Sequence, residues 1–454
     1  MFRKILVCCS LVGLGFLISP LNAIKIEVTQ GNIKPEPIAI TLFTKASGSI
    51  DSISEDIAKI IENDLDSSGL FETIDKSGFI ETAQSIAKNG VNIKNWSAIN
   101  ARFLVYGTIK DNVITFKLVD VVTNKELIKS EVSIDKKNIR TIAHIIADRI
   151  YKRVTNEEGY FNTKVVYVST ANNIPAKRTT KLMIVDQDGV NPIALTDGKE
   201  LVISPRYSPD GRTIAYIAYN DNAKSALGRS AHVYLRTIGQ NGRRKLLSDE
   251  IMNELIRKNG GSPINMTYAP RFSKNGQSVV LAIIVKGSSA IYRFDMTDNK
   301  LVQLTKHNKI DTSPCFSPDG SKIVFTSDRD GKEAIFIMNS DGSNQHKISG
   351  GDGKYSQPNW SPRGDLITFS KQKQGQFYIG VMKPDGSGER LITQGFLVEA
   401  PTWASNGRYV IYTSQTGYGQ QSKLVLTDLT GRYNRLIKTP GDASAPTWSP
   451  TYKD

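Results

Sequence analysis

One pattern recurs six times along the C-terminal two thirds of the chain, and a repeat of this period leaves few folds open. It reads PRYSPDG at 205–211, PRFSKNG at 270–276, PCFSPDG at 314–320, PNWSPRG at 358–364, PTWASNG at 401–407 and PTWSP at 446–450, with starts 65, 44, 44, 43 and 45 residues apart. The aromatic third residue offers a core anchor for a strand. Ser-Pro-Asp-Gly is turn chemistry: proline fixes φ, aspartate bonds its own backbone and glycine accepts φ > 0. Strand-like apolar runs follow five of the six, at 213–219, 278–285, 322–326, 366–370 and 409–413. A third run comes next, as at 334–338 or 377–382. A second turn follows, Asp341-Gly342 or Asp385-Gly386, then a fourth run ending in Leu304-Thr305 or Leu391-Ile392-Thr393. Four short strands in each repeat make one propeller blade.

The sixth repeat reaches Asp454 before its second strand, and 165–196 supplies what it lacks: a run at 165–169, another at 182–185, the turn Asp188-Gly189 and Ala194-Leu195-Thr196. The expected fold is therefore mainly β, a six-bladed β-propeller with split-blade closure, preceded by a small α+β domain. Closure leaves no edge strand to aggregate. A linear solenoid with the same repeats gives no reason for the split. The long first interval predicts insertions looping out near 221–230 and 249–263.

The expected organisation is a signal peptide at 1–23, an N-terminal tail at 24–37, an α+β domain at 38–158 and the propeller at 159–454. Arg3 and Lys4, an apolar run at 5–18 and the small Ala23 make an export leader; the run is short for a membrane span, and the chain after cleavage is not expected to cross one. Cys8 and Cys9 open the apolar run instead of following it, so lipidation does not fit. In the α+β domain, 38–43 reads as a strand. Ser52 to Glu55 fits a capping box before a helix carrying Ile57, Ile60, Ile61 and Leu65. Strands are expected at 102–109, 113–122 and 126–134, then a helix carrying Ile142, Ile145, Ile146, Ile150 and Val154.

Composition excludes more than it proposes. Apolar residues make up 39% and charged residues 22%, as in a folded protein. The formal charge of +14, lowered to +12 without Arg3 and Lys4, is spread along the chain with no arginine-rich run or finger, so nucleic acid is not an expected partner. After the leader only Cys315 remains, which excludes an internal disulfide and suits a small buried residue. His144, His232, His307 and His346 lack ligand spacing, so no metal site is expected and they read as structural. There is no nucleophile elbow, phosphate loop or dinucleotide fingerprint, and hence no catalytic residue or cofactor to name.

Leader, α+β domain and six blades on P-x-[FYW]-S-P-[DN]-G with split closure, over essentially the whole chain, resemble the TolB family of the Tol-Pal envelope system. The resemblance implies a monomeric, non-enzymatic adaptor in the periplasm that serves outer-membrane integrity and cell division. It implies two partners. The mature N-terminus, here Ile24, Lys25, Ile26, Glu27 and Val28, would engage a TolA-like inner-membrane protein. The face around the channel would bind the peptidoglycan-associated lipoprotein Pal, through residues just before each blade's proline: Thr267, Tyr268, Ala269, Thr312, Ser313, Gln357, Glu399 and Ala400. Ser313 stands where the family carries an acidic residue. Two other classes stay open on residues alone: an enzyme acting on a glycan or peptide, needing carboxylates or histidines gathered at the channel, and an envelope-polymer binder, needing basic residues on one face.

Overall fold

The computed structural model describes residues 34–135, 137–171, 179–220, 230–264 and 266–452. The expected leader, the residues Ile24 to Val28 and the insertion at 221–229 lie outside them. Among the described residues no helix is long and apolar enough to cross a membrane.

The N-terminal part is a five-stranded mixed sheet in the order Phe71–Thr73, Glu36–Lys45, Phe103–Lys110, Val113–Asp120, Lys125–Ser133, parallel at its first two pairings and antiparallel after. Helix α1 (Ser52–Asp66) pairs with a long C-terminal helix in one apolar core on the sheet, while α2 (Ala83–Asn89) and α3 (Ile93–Ala98) close a second around Trp96. The first strand begins at Glu36, two residues before its expected start, and α2, α3 and the three-residue strand were not foreseen. The cap of α1 also differs. Asp51 is the N-cap and accepts from the Ser54 amide at 3.0 Å, while the Ser54 hydroxyl turns inward to accept from the Phe43 amide at 2.7 Å. Helix α4 (Ile139–Thr155) carries the five expected residues, with Ile142, Ile146, Ile150 and Val154 buried.

Six four-stranded antiparallel blades follow, the first two joined into one eight-stranded sheet by a single parallel pairing of Ala231 with Met266. Their innermost strands are Val202–Tyr207 (blade I), Met266–Phe272 (II), Asp311–Phe316 (III), Lys354–Trp360 (IV), Leu397–Trp403 (V) and Asp442–Trp448 (VI). Each lies against the next, and the sixth lies against the first, which closes the ring. Blade VI is split as expected: Asp442–Trp448 pairs with Lys164–Ala171, which leads on to Thr179–Asp186 and Ile193–Ala194. Glycine at the second turn is required by the approach of blades. Gly342 has φ +90°, and a Cβ there would stand 2.7 Å from the Leu304 carbonyl oxygen of the blade before. The insertion expected as a loop at 249–263 contains α5 (Asp249–Lys258), capped by Ser248, whose Ile251, Met252, Leu255 and Ile256 join the core of blades I and II.

Candidate protein-binding face of the propeller channel

All six innermost strands carry the same irregularity. The residue before the proline is left-handed in each: φ is 54° at Ser204, 51° at Ala269, 51° at Ser313, 52° at Gln357, 54° at Ala400 and 50° at Ala445. Register with the second strand slips at that point in every blade. Two residues oppose one, a β-bulge, and proline occupies it because a bulge needs no ladder N–H there. Non-glycine residues at φ > 0 cost roughly 1–3 kcal/mol each, so the channel holds a ring of strained backbone that the surrounding blades keep in place.

The eight expected contact residues all fall on this ring or within two positions before it, but they differ in what they have to offer. Thr267 is buried, 2% exposed, and its hydroxyl accepts from the Val233 amide of blade I at 2.9 Å. Ala400 is buried too, and its amide donates to the Gln357 side-chain oxygen at 2.7 Å. Gln357 also accepts from Ser370 at 2.9 Å, tying the bulges of blades IV and V together. Tyr268 is half-buried and donates to Ser289 at 2.9 Å, and Ser289 in turn donates to the Asp311 carbonyl at 2.8 Å. Ala269, Thr312 and Ser313 are half-buried. Glu399 differs from all of these: burial pushes its carboxyl above the ordinary carboxylate range, and no cation offsets it. Phe396 and Tyr418, not singled out from sequence, stand at the same end of blade V, where Leu397 pairs with Gln415. Their rings meet edge to face at 5.3 Å, and Tyr418 is 93% exposed. An aromatic in the glycine-flanked turn Gly417-Tyr418-Gly419 was the available signal.

Residues 24–127 match the TolB amino-terminal domain model, and residues 151–452 match that of the TolB beta propeller domain. The chain belongs to the TolB family. It is 43% identical over 450 residues to the Tol-Pal system protein TolB of Paramagnetospirillum magneticum, covering 97% of this chain and 96% of that one. With the protein of the same name from Rickettsia massiliae it is 39% identical over 445 residues, covering 93% and 94%. The crystal structure of TolB from Acinetobacter baumannii superposes with a TM-score of 0.76 at 24% identity, over 92% of this chain and 97% of that one, which supports the fold.

In this TolB-family chain a second polar site joins the N-terminal sheet domain to blades V and VI. Asp64 of α1 lies 2.6 Å from Nδ1 of His144 and accepts from the Gln187 side-chain Nε2 at 3.1 Å; the Gln187 side-chain oxygen accepts from Arg435 of blade V at 2.9 Å. Arg140 faces His144 Nε2 at 3.3 Å and donates to Asp188 at 2.5 Å and Asp186 at 3.2 Å, and Lys164 also pairs with Asp186. Asp64, His144 and Asp188 bring three ligand atoms within 4.8 Å of one another. The Arg140 guanidinium bonds Asp188 and faces His144, so these groups form an internal ion network. Burial works against a charged His144, but the Asp64 carboxylate bonded to it dominates and raises its pKa. His144 lies in a deeper network than its helix spacing revealed. Cys315 is buried as expected.

Proposed function

We propose that this chain acts in the Tol-Pal system as a non-catalytic adaptor in the periplasm. In this reading the channel mouth grips a peptidoglycan-associated lipoprotein, and Ile24 to Val28 engage a TolA-like inner-membrane protein. The observation that carries it is the ring of six strained bulges, which fixes one surface from six blades in a single geometry. Preorganised surfaces of that kind lose little freedom on binding a protein. Tyr268, Ala269, Thr312, Ser313 and Glu399 would make the contacts, with Phe396 and Tyr418 as exposed aromatic anchors at the rim. Thr267, Gln357 and Ala400 would act by holding the bulges in place. The names of the relatives support the system, and their near-complete overlap with this chain supports the same arrangement of parts. Glu399 is the one carboxylate among the eight contact positions, with no histidine among them, which supports an adaptor over an enzyme.

The test is capture from detergent-solubilised envelope with protein starting at Ile24, in parallel with the Ala269→Arg, Thr312→Arg double variant. Recovery of a peptidoglycan-associated lipoprotein by the parent alone is the expected result. Equal recovery by both would keep the adaptor and remove this face. No recovery by either, with retention on purified peptidoglycan instead, would replace the adaptor with a polymer binder.

A further inference from the structure

One residue past each proline, the innermost strands present Arg206, Arg271, Cys315, Asn359, Thr402 and Thr447. These positions form one tier of the channel wall. Cys315 Sγ contacts the Asn359 side-chain oxygen at 3.7 Å across blades III and IV, Asn359 donates to the Pro401 carbonyl of blade V at 3.2 Å, and Thr447 of blade VI accepts from the Tyr207 amide of blade I at 3.4 Å. Asn359 and Thr402 also line a cavity of about 430 Å³ walled by Tyr207, Phe272, Phe316 and the tryptophans of the last three blades. The tier holds two guanidinium groups, on the neighbouring innermost strands of blades I and II, and no carboxylate.

Among the described residues nothing neutralises either arginine. Arg206 donates Nη1 to the carbonyl of its own neighbour Pro205 at 2.6 Å, and its buried Nε–H has no partner. Arg271 donates Nη1 to the Pro270 carbonyl at 3.3 Å and otherwise lies beside the Cys315 thiol. Among the described residues no carboxylate comes within salt-bridge distance of either, and Glu399, the acid on the tier before the bulge, pairs with neither. Desolvation of Arg271 disfavours its charged form, yet a guanidinium keeps its proton at any physiological pH. Elsewhere in this propeller a half-buried arginine is answered by an acid: Arg329 Nη2 donates to both oxygens of the buried Asp311, at 3.0 and 2.9 Å. Two like charges on neighbouring innermost strands, partly desolvated and with N–H groups unspent, are stable together when an external anion completes them.

We propose that this tier of the channel is a binding site for a small oxyanion, held by the forks of Arg206 and Arg271. Planar paired N–H groups match phosphate or carboxylate oxygens, and the net positive charge of the chain favours anion capture. The site is independent of the lipoprotein reading, since it uses none of that face's residues.

The test uses protein starting at Ile24, the Arg206→Gln, Arg271→Gln double variant, and inorganic phosphate as probe. Calorimetric titration is expected to show one saturable site in the parent, weakened by about tenfold or more in the variant. The parent's melting temperature should rise with phosphate against chloride of matched ionic strength. In chloride alone the variant should melt no lower than the parent, because it has lost two uncompensated charges and no internal ion pair. Absence of a saturable phosphate site, equal phosphate affinity in both proteins, or a variant that melts lower in chloride would each overturn the proposal.

Discussion

At the channel, six backbone positions are held at φ near 50°, Glu399 has no cation beside it, and two aromatic rings stand in solvent. At the junction between the sheet domain and blades V and VI the pattern reverses. Tyr160 meets Tyr409 and Trp448 with ring centroids at 4.8 and 5.8 Å, and the Tyr409 and Tyr433 hydroxyls donate to the Ser68 and Ser67 carbonyls, each at 2.6 Å. Buried charges there are paired in a chain from Asp64 to Lys164. The apolar core is continuous from Ile57 of α1 to Leu424 and Ile437 of blade V. The junction therefore converts its residues into stability, whereas the channel keeps strain and unmet bonding capacity in reserve, the signature of a surface meant for something else.

The harshest way to break that comparison is to open the ring, since both regions depend on it. Deleting residues 446–454 removes three of the seven residues of the strand that pairs with Lys164–Ala171. It also removes Trp448, which is 6% exposed and donates to Thr163 at 2.7 Å. Loss of such an aromatic alone costs about 3–5 kcal/mol, and the strand pairing adds to it, against a total stability of roughly 5–15 kcal/mol. Aggregation on size-exclusion chromatography is expected. A monomer with unchanged melting would show that closure does not hold the two regions together.

A milder challenge is pH, which acts chiefly on the junction, although Glu399 at the channel shifts in the same direction. Asp148 of α4 accepts from the Phe161 and Asn162 amides at 2.8 and 3.1 Å, anchoring the chain where it leaves the helix for blade VI. Burial outweighs those bonds and raises its carboxyl to about 7. A folded pKa above the unfolded one means that the proton is held more tightly in the native state. The associated stability is complete below about pH 4 and is lost as pH rises towards 7. The upward shift of His144 acts in the same direction at higher pH. For Asp148 the loss is at most about 4 kcal/mol, and less where water reaches the carboxyl. Urea denaturation should show the protein more stable at pH 5 than at pH 8. Asp148→Asn should flatten much of that slope at a cost of about 1 kcal/mol at pH 5. A slope unchanged by the substitution would move the pH dependence elsewhere.

How much of this was legible follows from where the information lies. The blades were readable because each repeat brings its own turn chemistry and apolar period: Ser278–Val285 was placed to the residue, and the split blade followed from the Asp188-Gly189 turn. The short α2 and α3 were not, since seven and six residues carry too little periodicity to stand out. Helix α5 was hidden inside an interval read only as surplus length, although Ser248-Asp249-Glu250 is an ordinary helix start. At the channel the prolines were visible, but the left-handed residue before each was not. Serine, alanine and glutamine give no local sign of φ > 0, a conformation imposed by register across the blade. The junction network was illegible for a related reason: Asp64, His144, Gln187 and Arg435 are brought together by the fold, and sequence spacing says nothing of it.

The smallest expected effect sharpens the comparison most, because one substitution can be made on both sides of it. Ala443 and Ala400 are buried alanines in neighbouring innermost strands, at 0% and 7% exposure, and Ala443 belongs to the junction core while Ala400 is a bulge at φ 54°. Glycine at Ala443 loses a packed methyl and gains unfolded-state freedom, so about 1–2 kcal/mol of stability should go. Glycine at Ala400 pays the same entropy but is relieved of the left-handed penalty of roughly 1–2 kcal/mol, which leaves a change near zero. Urea titrations of the two variants measure the difference directly. If Ala400→Gly is neutral for stability yet weakens capture of the lipoprotein, rigidity of the bulge is what the face contributes. If it destabilises as much as Ala443→Gly, the bulges carry no strain and the contrast between the two regions rests on side chains alone.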